Sequence, residues 1–304
     1  MTLTIYEAAE ILRSGGLVAF PTETVYGLGA NALDASAVGK IYEAKGRPTT
    51  SPLIVHASSL EMARGLVSEW PPEAQGLASR WWPGPLTLVL PKSQLIPDIV
   101  TAGLPTVGVR VPAHPVALEL IETAKLPLAA PSANRFMDLS PTTAAHVRAA
   151  FADTIPVLDG GPTRVGIEST VVSIVGGKLT LLRPGMIALD EIETVLAAPD
   201  QFGDGPHPSP GMHARHYSPR TPLFLVSTPA GLPDRRGAYL WWNTSGLTSR
   251  SIRMPADAAA YAQKLYSVLH ILDAENWPWI AVEAPPDNAA WSAIADRLKR
   301  AASK

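Results

Sequence analysis

Residues 17–30, LVAFPTETVYGLGA, set the reading of the whole chain. Four apolar residues, Leu17 to Phe20, predict a short buried strand, and Pro21 ends it. Thr22-Glu23-Thr24 then supplies hydroxyls and an acid, and Tyr26-Gly27-Leu28-Gly29 predicts a turn. Upstream, Thr4-Ile5-Tyr6-Glu7 has capping-box spacing, with Ile5, Ala8, Ala9 and Leu12 at helical intervals before Gly15-Gly16. Downstream, Asp34 can cap a helix that runs to about Lys45 and stops at Gly46. Helix, strand, polar loop and helix in that order open an α/β domain. A polar loop at a strand end is where open α/β sheets commonly hold ligands.

The pattern continues outward. SPLIVHA, GPLTLVLPK, TVGVRVP, LPLAAPSAN, IPVLDGG, STVVSIV and KLTLLRPG predict strands. LEMARGLV, PVALELIETA, residues 144–151 and residues 187–196 predict helices. This mixture predicts an open α/β sheet with antiparallel members. Residues 198–221 collapse into a Pro-, Gly- and His-dense linker. LFLVS, GAYLWWN, a helix over 256–273, WIAVEAPP and a helix over 289–302 then make a smaller β/α unit. The expected organisation is a domain over 1–197, a linker over 198–221 and a second domain over 222–304.

Composition narrows the chemistry. The 304 residues are 46% hydrophobic and 17% charged, enough to bury a sizeable core. No cysteine is present, which excludes disulfides, thiolate metal sites and a cysteine nucleophile. No leader-like start and no apolar run of membrane-spanning length occurs, so a soluble, cytoplasmic protein with no membrane partner is expected. Residues 1–199 carry 18 acids against 14 Lys and Arg, and the remainder 9 against 11. That balance offers no footprint for stable nucleic-acid binding.

The familiar phosphate motifs fail. Gly27-x-Gly29-x-x-Ala32 fits a dinucleotide fingerprint in letters, but six residues separate Phe20 from Gly27 and the helix cap waits until Asp34. No Walker motif and no G-x-S-x-G elbow occurs. Side-chain cations and hydroxyls must therefore do any phosphate binding. Lys45-Gly46-Arg47-Pro48 can aim two cations at one point, although Lys45 also suits the helix dipole and Arg47 a surface pair. Ser132 and Asn134 emerge at a strand end, where an ordinary turn would serve equally. Ser140 reads first as a helix cap, and His56 as a satisfied core residue. Arg110 interrupts an apolar strand and needs a partner, so it could clamp a carboxylate. Glu168-Ser169-Thr170 offers an acid and two hydroxyls, or a strand-entry turn, and Arg183 is open between surface and site. His207, His213 and His216 match no standard ligand spacing, so no protein-held metal is expected.

Taken in order, FPTETVYGLGANA, KGRPTTSPLIVH, APSAN, ESTVV, LRPG and SPGMHARHYSPRTPL resemble the YrdC/Sua5 family of L-threonylcarbamoyladenylate synthases. The resemblance implies a YrdC-like open twisted mixed sheet with helices and a smaller Rossmann-like α/β Sua5 domain. It implies that L-threonine, bicarbonate and ATP, with nucleotide-bound Mg²⁺, give threonylcarbamoyl-AMP and pyrophosphate for tRNA t6A modification. A downstream transfer machinery would consume that product. Carried over by motif, Lys45 and Arg47 are the catalytic cations. Ser51, Thr106, Ser132, Asn134, Ser140, Arg183 and Tyr217 join them around ATP, and Thr24, His56, Arg110, Ala130 and Thr170 hold threonine. Tyr217 would come from a linker folded as a lid. The chain departs from the family pattern at His213-Ala214, where many relatives carry a basic or aromatic pair. A double-stranded RNA or ribosome-associated binding module is the alternative, which the acid-leaning first 199 residues oppose.

Overall fold

The computed structural model describes residues 3–193, 200–201, 216–234 and 236–303. Helix α1 (Ile5–Arg13) starts on the expected capping box. Thr4 Oγ1 accepts from the Glu7 N–H at 3.2 Å, and the Glu7 carboxylate accepts from the Thr4 N–H at 2.8 Å. Strand β1 (Val18–Phe20) pairs antiparallel with β2 (Gly27–Asn31), which stands where the sequence predicted a turn. Glycines weaken strands in general. Here Gly29 lies against Phe20, where an added Cβ would come within 2.7 Å of the ring. The glycine is an approach site for an aromatic side chain rather than a corner.

Helix α2 (Ala35–Lys45) has Asp34 accepting from the Ser36 and Ala37 N–H groups, and it ends at Gly46 with φ 63°. Next come β3 (Ile54–His56), α3 (Leu60–Gly65), α4 (Pro72–Trp81), β4 (Leu86–Pro91), α5 (Asp98–Thr101), β5 (Thr106–Arg110), α6 (Pro115–Ala124) and β6 (Leu128–Ala129). After α7 (Ala144–Phe151) the chain forms β7 (Thr170–Val175), β8 (Lys178–Arg183), α8 (Leu189–Glu193) and β9 (Asp200–Gln201). The sequence reading did not anticipate α4 or α5. The strand expected at IPVLDGG is one bridge, Ala19 to Val157, because Asp159-Gly160-Gly161 turns away at once.

These strands form one mixed nine-stranded sheet in the order β1-β2-β6-β3-β5-β4-β7-β8-β9. The chain then makes β10 (Leu223–Val226), β11 (Ala238–Trp241), β12 (Arg250–Arg253), α9 (Ala258–Ala274), β13 (Ile280–Glu283) and α10 (Ser292–Ala302). Its four strands are all parallel, in the order β10-β13-β11-β12. The α/β class is as expected, a large mixed sheet followed by a smaller parallel one. The apolar faces of α9 and α10 meet Ile167 and Tyr217 in one core cluster, so the smaller unit packs against loop segments of the first.

Candidate active site

Register builds the centre of the site. β3 and β5 run parallel with His56 opposite Arg110, so both side chains leave the sheet at neighbouring strand ends. The loop after β1, the segment after β6, residues 168–169, Arg183 and residues 216–217 close around them. They line a hollow that is partly open to solvent.

At one pole the loop after β1 is tied by its own hydroxyls. Thr22 Oγ1 accepts from the Thr24 and Val25 N–H groups, each at 3.2 Å, and donates to the Val25 carbonyl at 2.6 Å. This fixes Thr24, whose Oγ1 accepts from Arg110 Nη1 at 3.0 Å. Arg110 Nε donates to the Gly84 carbonyl at 3.1 Å, and Nη2 lies 2.7 Å from Glu23 Oε1. Arg110 and Glu23 are both almost fully buried, so each is the counter-charge the other needs. His56, packed edge-on to Phe20, is pushed down to about 3 by burial and by Arg110, so its imidazole is neutral.

At the other pole the cations have neutral partners. Arg47 Nε donates to the Ser51 carbonyl at 3.3 Å, and Nη2 to the Pro52 carbonyl at 3.0 Å and to Ser51 Oγ. Among the described residues it has no carboxylate partner. Burial lowers it to about 10, and the charge of Arg183 adds to that. Lys45 lies behind this wall: its Nζ donates to the carbonyls of Ser132, at 2.6 Å, and Asn134. Burial, reinforced by Arg47, holds its ammonium well below the ordinary lysine value. Arg183 Nε and Nη2 donate to the Ser169 carbonyl at 3.1 and 3.0 Å. Tyr217 is buried with φ 59°, a left-handed backbone uncommon for a tyrosine. Ser218 beside it donates its N–H to the Met137 carbonyl at 2.9 Å.

Thr24, Arg47, His56, Arg110, Ala130, Ser132, Arg183 and Tyr217 line the hollow. Six other expected site residues do not. Lys45 reaches it only through the backbone it holds, and Ser51 is the hydroxyl that orients Arg47. Thr106 pairs with Pro91 at the opposite end of β5 from Arg110. Asn134 donates to the Arg135 and Asp138 carbonyls, at 2.7 and 2.9 Å. Ser140 donates to Glu168 Oε1 at 2.5 Å, and Thr170 to the Ile187 carbonyl at 3.0 Å. His207, His213 and Ala214 lie outside the described residues.

The family model described as telomere recombination, covering Sua5, YciO and YrdC proteins, matches residues 10–185. That of the threonylcarbamoyl-AMP synthase C-terminal domain matches residues 187–303. The chain belongs to the Sua5/YrdC family. The threonylcarbamoyl-AMP synthase of Bacillus subtilis is 41% identical to it, covering 98% of this chain and 92% of the relative. That of Pyrococcus abyssi is 52% identical over 73% of this chain and 67% of the relative. The crystal structure of P. abyssi Sua5 complexed with L-threonine superposes with a TM-score of 0.92 at 40% identity, covering 98% of this chain and 94% of that one.

Within this family member, the sequence reading noted Glu23 and Glu168 without their ion-pair partners and did not note Arg297. Glu23 was noted only as the acid of the opening loop, not as the counter-ion of Arg110. Glu168 lines the hollow, where it accepts from Ser140, from Tyr266 at 3.2 Å and from Arg297 at 2.7 Å. Burial alone would raise its carboxyl, but Arg297 and Arg183 outweigh burial and hold it below the usual range. Arg297 had a legible signal. It falls in the apolar stripe Ala293, Ile294, Leu298 and Ala301 of α10, where an unpaired charge could not stay.

Proposed function

We infer that this chain is a threonylcarbamoyl-AMP synthase, making threonylcarbamoyl-AMP and pyrophosphate from L-threonine, bicarbonate and ATP for tRNA t6A modification. The observation that carries the reading is the convergence of Arg47, Arg110 and Arg183 on one hollow. Among its described lining residues the one carboxylate, Glu168, is already ion-paired to Arg297. Such a hollow keeps net positive charge for an anionic ligand.

The threonine amine, as the free base, captures CO₂ from bicarbonate as a carbamate, its proton leaving with the bicarbonate hydroxide as water. A carbamate oxygen then attacks the α-phosphorus, and pyrophosphate leaves with the bond electrons. This chemistry needs positioning and charge stabilisation rather than a protein nucleophile. We place the phosphates at Arg47, Arg183 and Ser132, under Tyr217. Lys45, Ser51, Asn134 and Ser140 shape that wall, and Thr106 contacts the nucleotide only if the ligand extends past the hollow. Threonine lies at the opposite pole, its carboxylate on the N–H groups Arg110 has left beyond Gly84, Thr24 and Glu23. Neutral His56, Thr24 and the Ala130 backbone complete that pole, and Thr170 holds the Ile187 backbone rather than the ligand. Magnesium arrives on the nucleotide, with phosphate oxygens as ligands, because Glu168 has both oxygens engaged. The reaction belongs in the cytoplasm, where ATP and tRNA meet. Among the described residues no helix is long and apolar enough to cross a membrane.

The test is pyrophosphate release by the purified protein with ATP, Mg²⁺ and bicarbonate. Release is expected only when L-threonine is added; release indifferent to threonine would falsify the assignment.

A further inference from the structure

The last helix sends one fully buried cation into the wall of the hollow. Arg297 on α10 donates from Nε to Glu168 Oε2 at 2.7 Å and from Nη2 to the Pro184 carbonyl at 3.1 Å. Its guanidinium lies 5.0 Å from the centroid of the Tyr217 ring. Nη1 donates to Asp296 at 2.6 Å, and Asp296 is itself paired with Arg300 at 2.9 Å. Tyr266 of α9 donates to the same Glu168 oxygen at 3.2 Å. Ser140, which donates to the other Glu168 oxygen, comes from the large-sheet part of the chain.

Counting charges shows what this arrangement does. Glu168 and Arg183 both line the hollow and interact electrostatically, so by themselves they would form a neutral pair. Asp296 and Arg300 cancel. With Arg297 counted, Glu168 and the two arginines beside it carry one net positive charge. Beside Tyr217, Arg297 also supplies a cation under the ring that covers this pole.

We propose that Arg297 is a positioning residue through which the smaller, C-terminal unit sets nucleotide affinity: it engages Glu168 and supports Tyr217, so that this wall of the hollow keeps a net positive charge toward the phosphates. The proposal rests on the nucleotide reading given above. It implies that the second unit completes the active-site wall rather than merely following it in the chain.

Calorimetric titration with a non-hydrolysable ATP analogue, and separately with L-threonine, tests this. Arg297→Met should weaken the analogue at least about tenfold, as one uncompensated charge several ångströms away would do at an effective dielectric near 20. Threonine affinity should stay within about twofold, since the Arg110 pole is untouched. Arg297→Lys, which keeps the charge, should recover part of the loss. Glu168→Gln alone should tighten the analogue. The double variant Glu168→Gln/Arg297→Met should return it to near the wild-type value, a coupling that a merely structural role would not give. A folded Arg297→Met protein with unchanged affinity overturns the proposal, as does a double variant that recovers nothing. If Arg297→Met does not fold, Glu168→Gln decides: unchanged or weaker analogue binding rejects the assignment. Wild-type protein that binds no analogue removes the functional reading and this proposal together; wild-type binding with unaffected variants removes the proposal alone.

Discussion

Arg110 and Arg47 face the same hollow from buried positions, yet their surroundings are opposite. Arg110 is matched by Glu23 at 2.7 Å, with Thr24 and Gly84 fixing the rest of its fork. Arg47 is held by the carbonyls of Ser51 and Pro52 and by the Ser51 hydroxyl, with no carboxylate among the described residues. A matched guanidinium contributes geometry and directed hydrogen bonds with little net field. An unmatched one contributes field, and the surrounding fold must compensate for its desolvation. Under the proposed function, this contrast gives orientation of a small zwitterion to the Arg110 pole and stabilisation of polyphosphate charge to the Arg47 pole.

The strongest way to break the contrast is to remove the unmatched cation. Arg47→Ala should reduce threonine-dependent pyrophosphate release by about 100-fold or more, the scale on which one preorganised charge-stabilising group acts. Its melting temperature should hardly fall, because the deleted charge has no buried ion partner to strand. Glu23→Gln should behave the other way. It leaves Arg110 buried without its counter-ion, so a loss of about 3 to 5 kcal/mol is expected in denaturant unfolding. A Glu23→Gln protein as stable as wild type would show that the pair is not the support described here.

How much of this was legible follows the same division. The Thr4–Glu7 capping box, the Asp34 cap, most of the apolar strands and the helix stop at Gly46 read directly, because local spacing and hydrophobic periodicity determine them. β2 did not, since Gly27 and Gly29 suggest a turn until Phe20 is seen lying across Gly29. Arg47 and Arg110 could be singled out by residue type and position. Their partners could not: Arg110 finds its acid 87 positions away in sequence, and Glu168 meets Arg297 at a separation of 129. The first match is set by strand order within the large sheet and the second by the packing of α10 against that part of the chain, and local pattern carries no record of either. Ser140 shows the converse. Its cap-like sequence hides a hydroxyl that goes to Glu168, while Thr143 does the capping of α7.

Smaller perturbations sharpen the picture around the Arg110 pole. Gly29→Ala would press a Cβ into Phe20 at 2.7 Å and should cost about 1 to 3 kcal/mol, read as a lowered urea midpoint. Neutral His56 gives a pH signature with a defined sign. Its folded value, about 3, lies below the ordinary 6.5, so the unfolded chain takes up the proton first. Stability should therefore fall as pH drops below about 6.5 and keep falling toward 3, at up to about 1.4 kcal/mol per unit from this group. His56→Gln should show a shallower decline between pH 6.5 and 5; an unchanged slope would mean that His56 is not held neutral.

The division between the poles is tested most directly by measuring ATP-analogue and L-threonine affinities in two proteins. One is Arg47→Met; the other is Glu23→Gln/Arg110→Met, which removes both members of the matched pair together. Arg47→Met is expected to lose the ATP analogue and keep threonine, and the double variant to lose threonine and keep the analogue. Equal losses of both ligands in both proteins, or the reverse assignment, would contradict it.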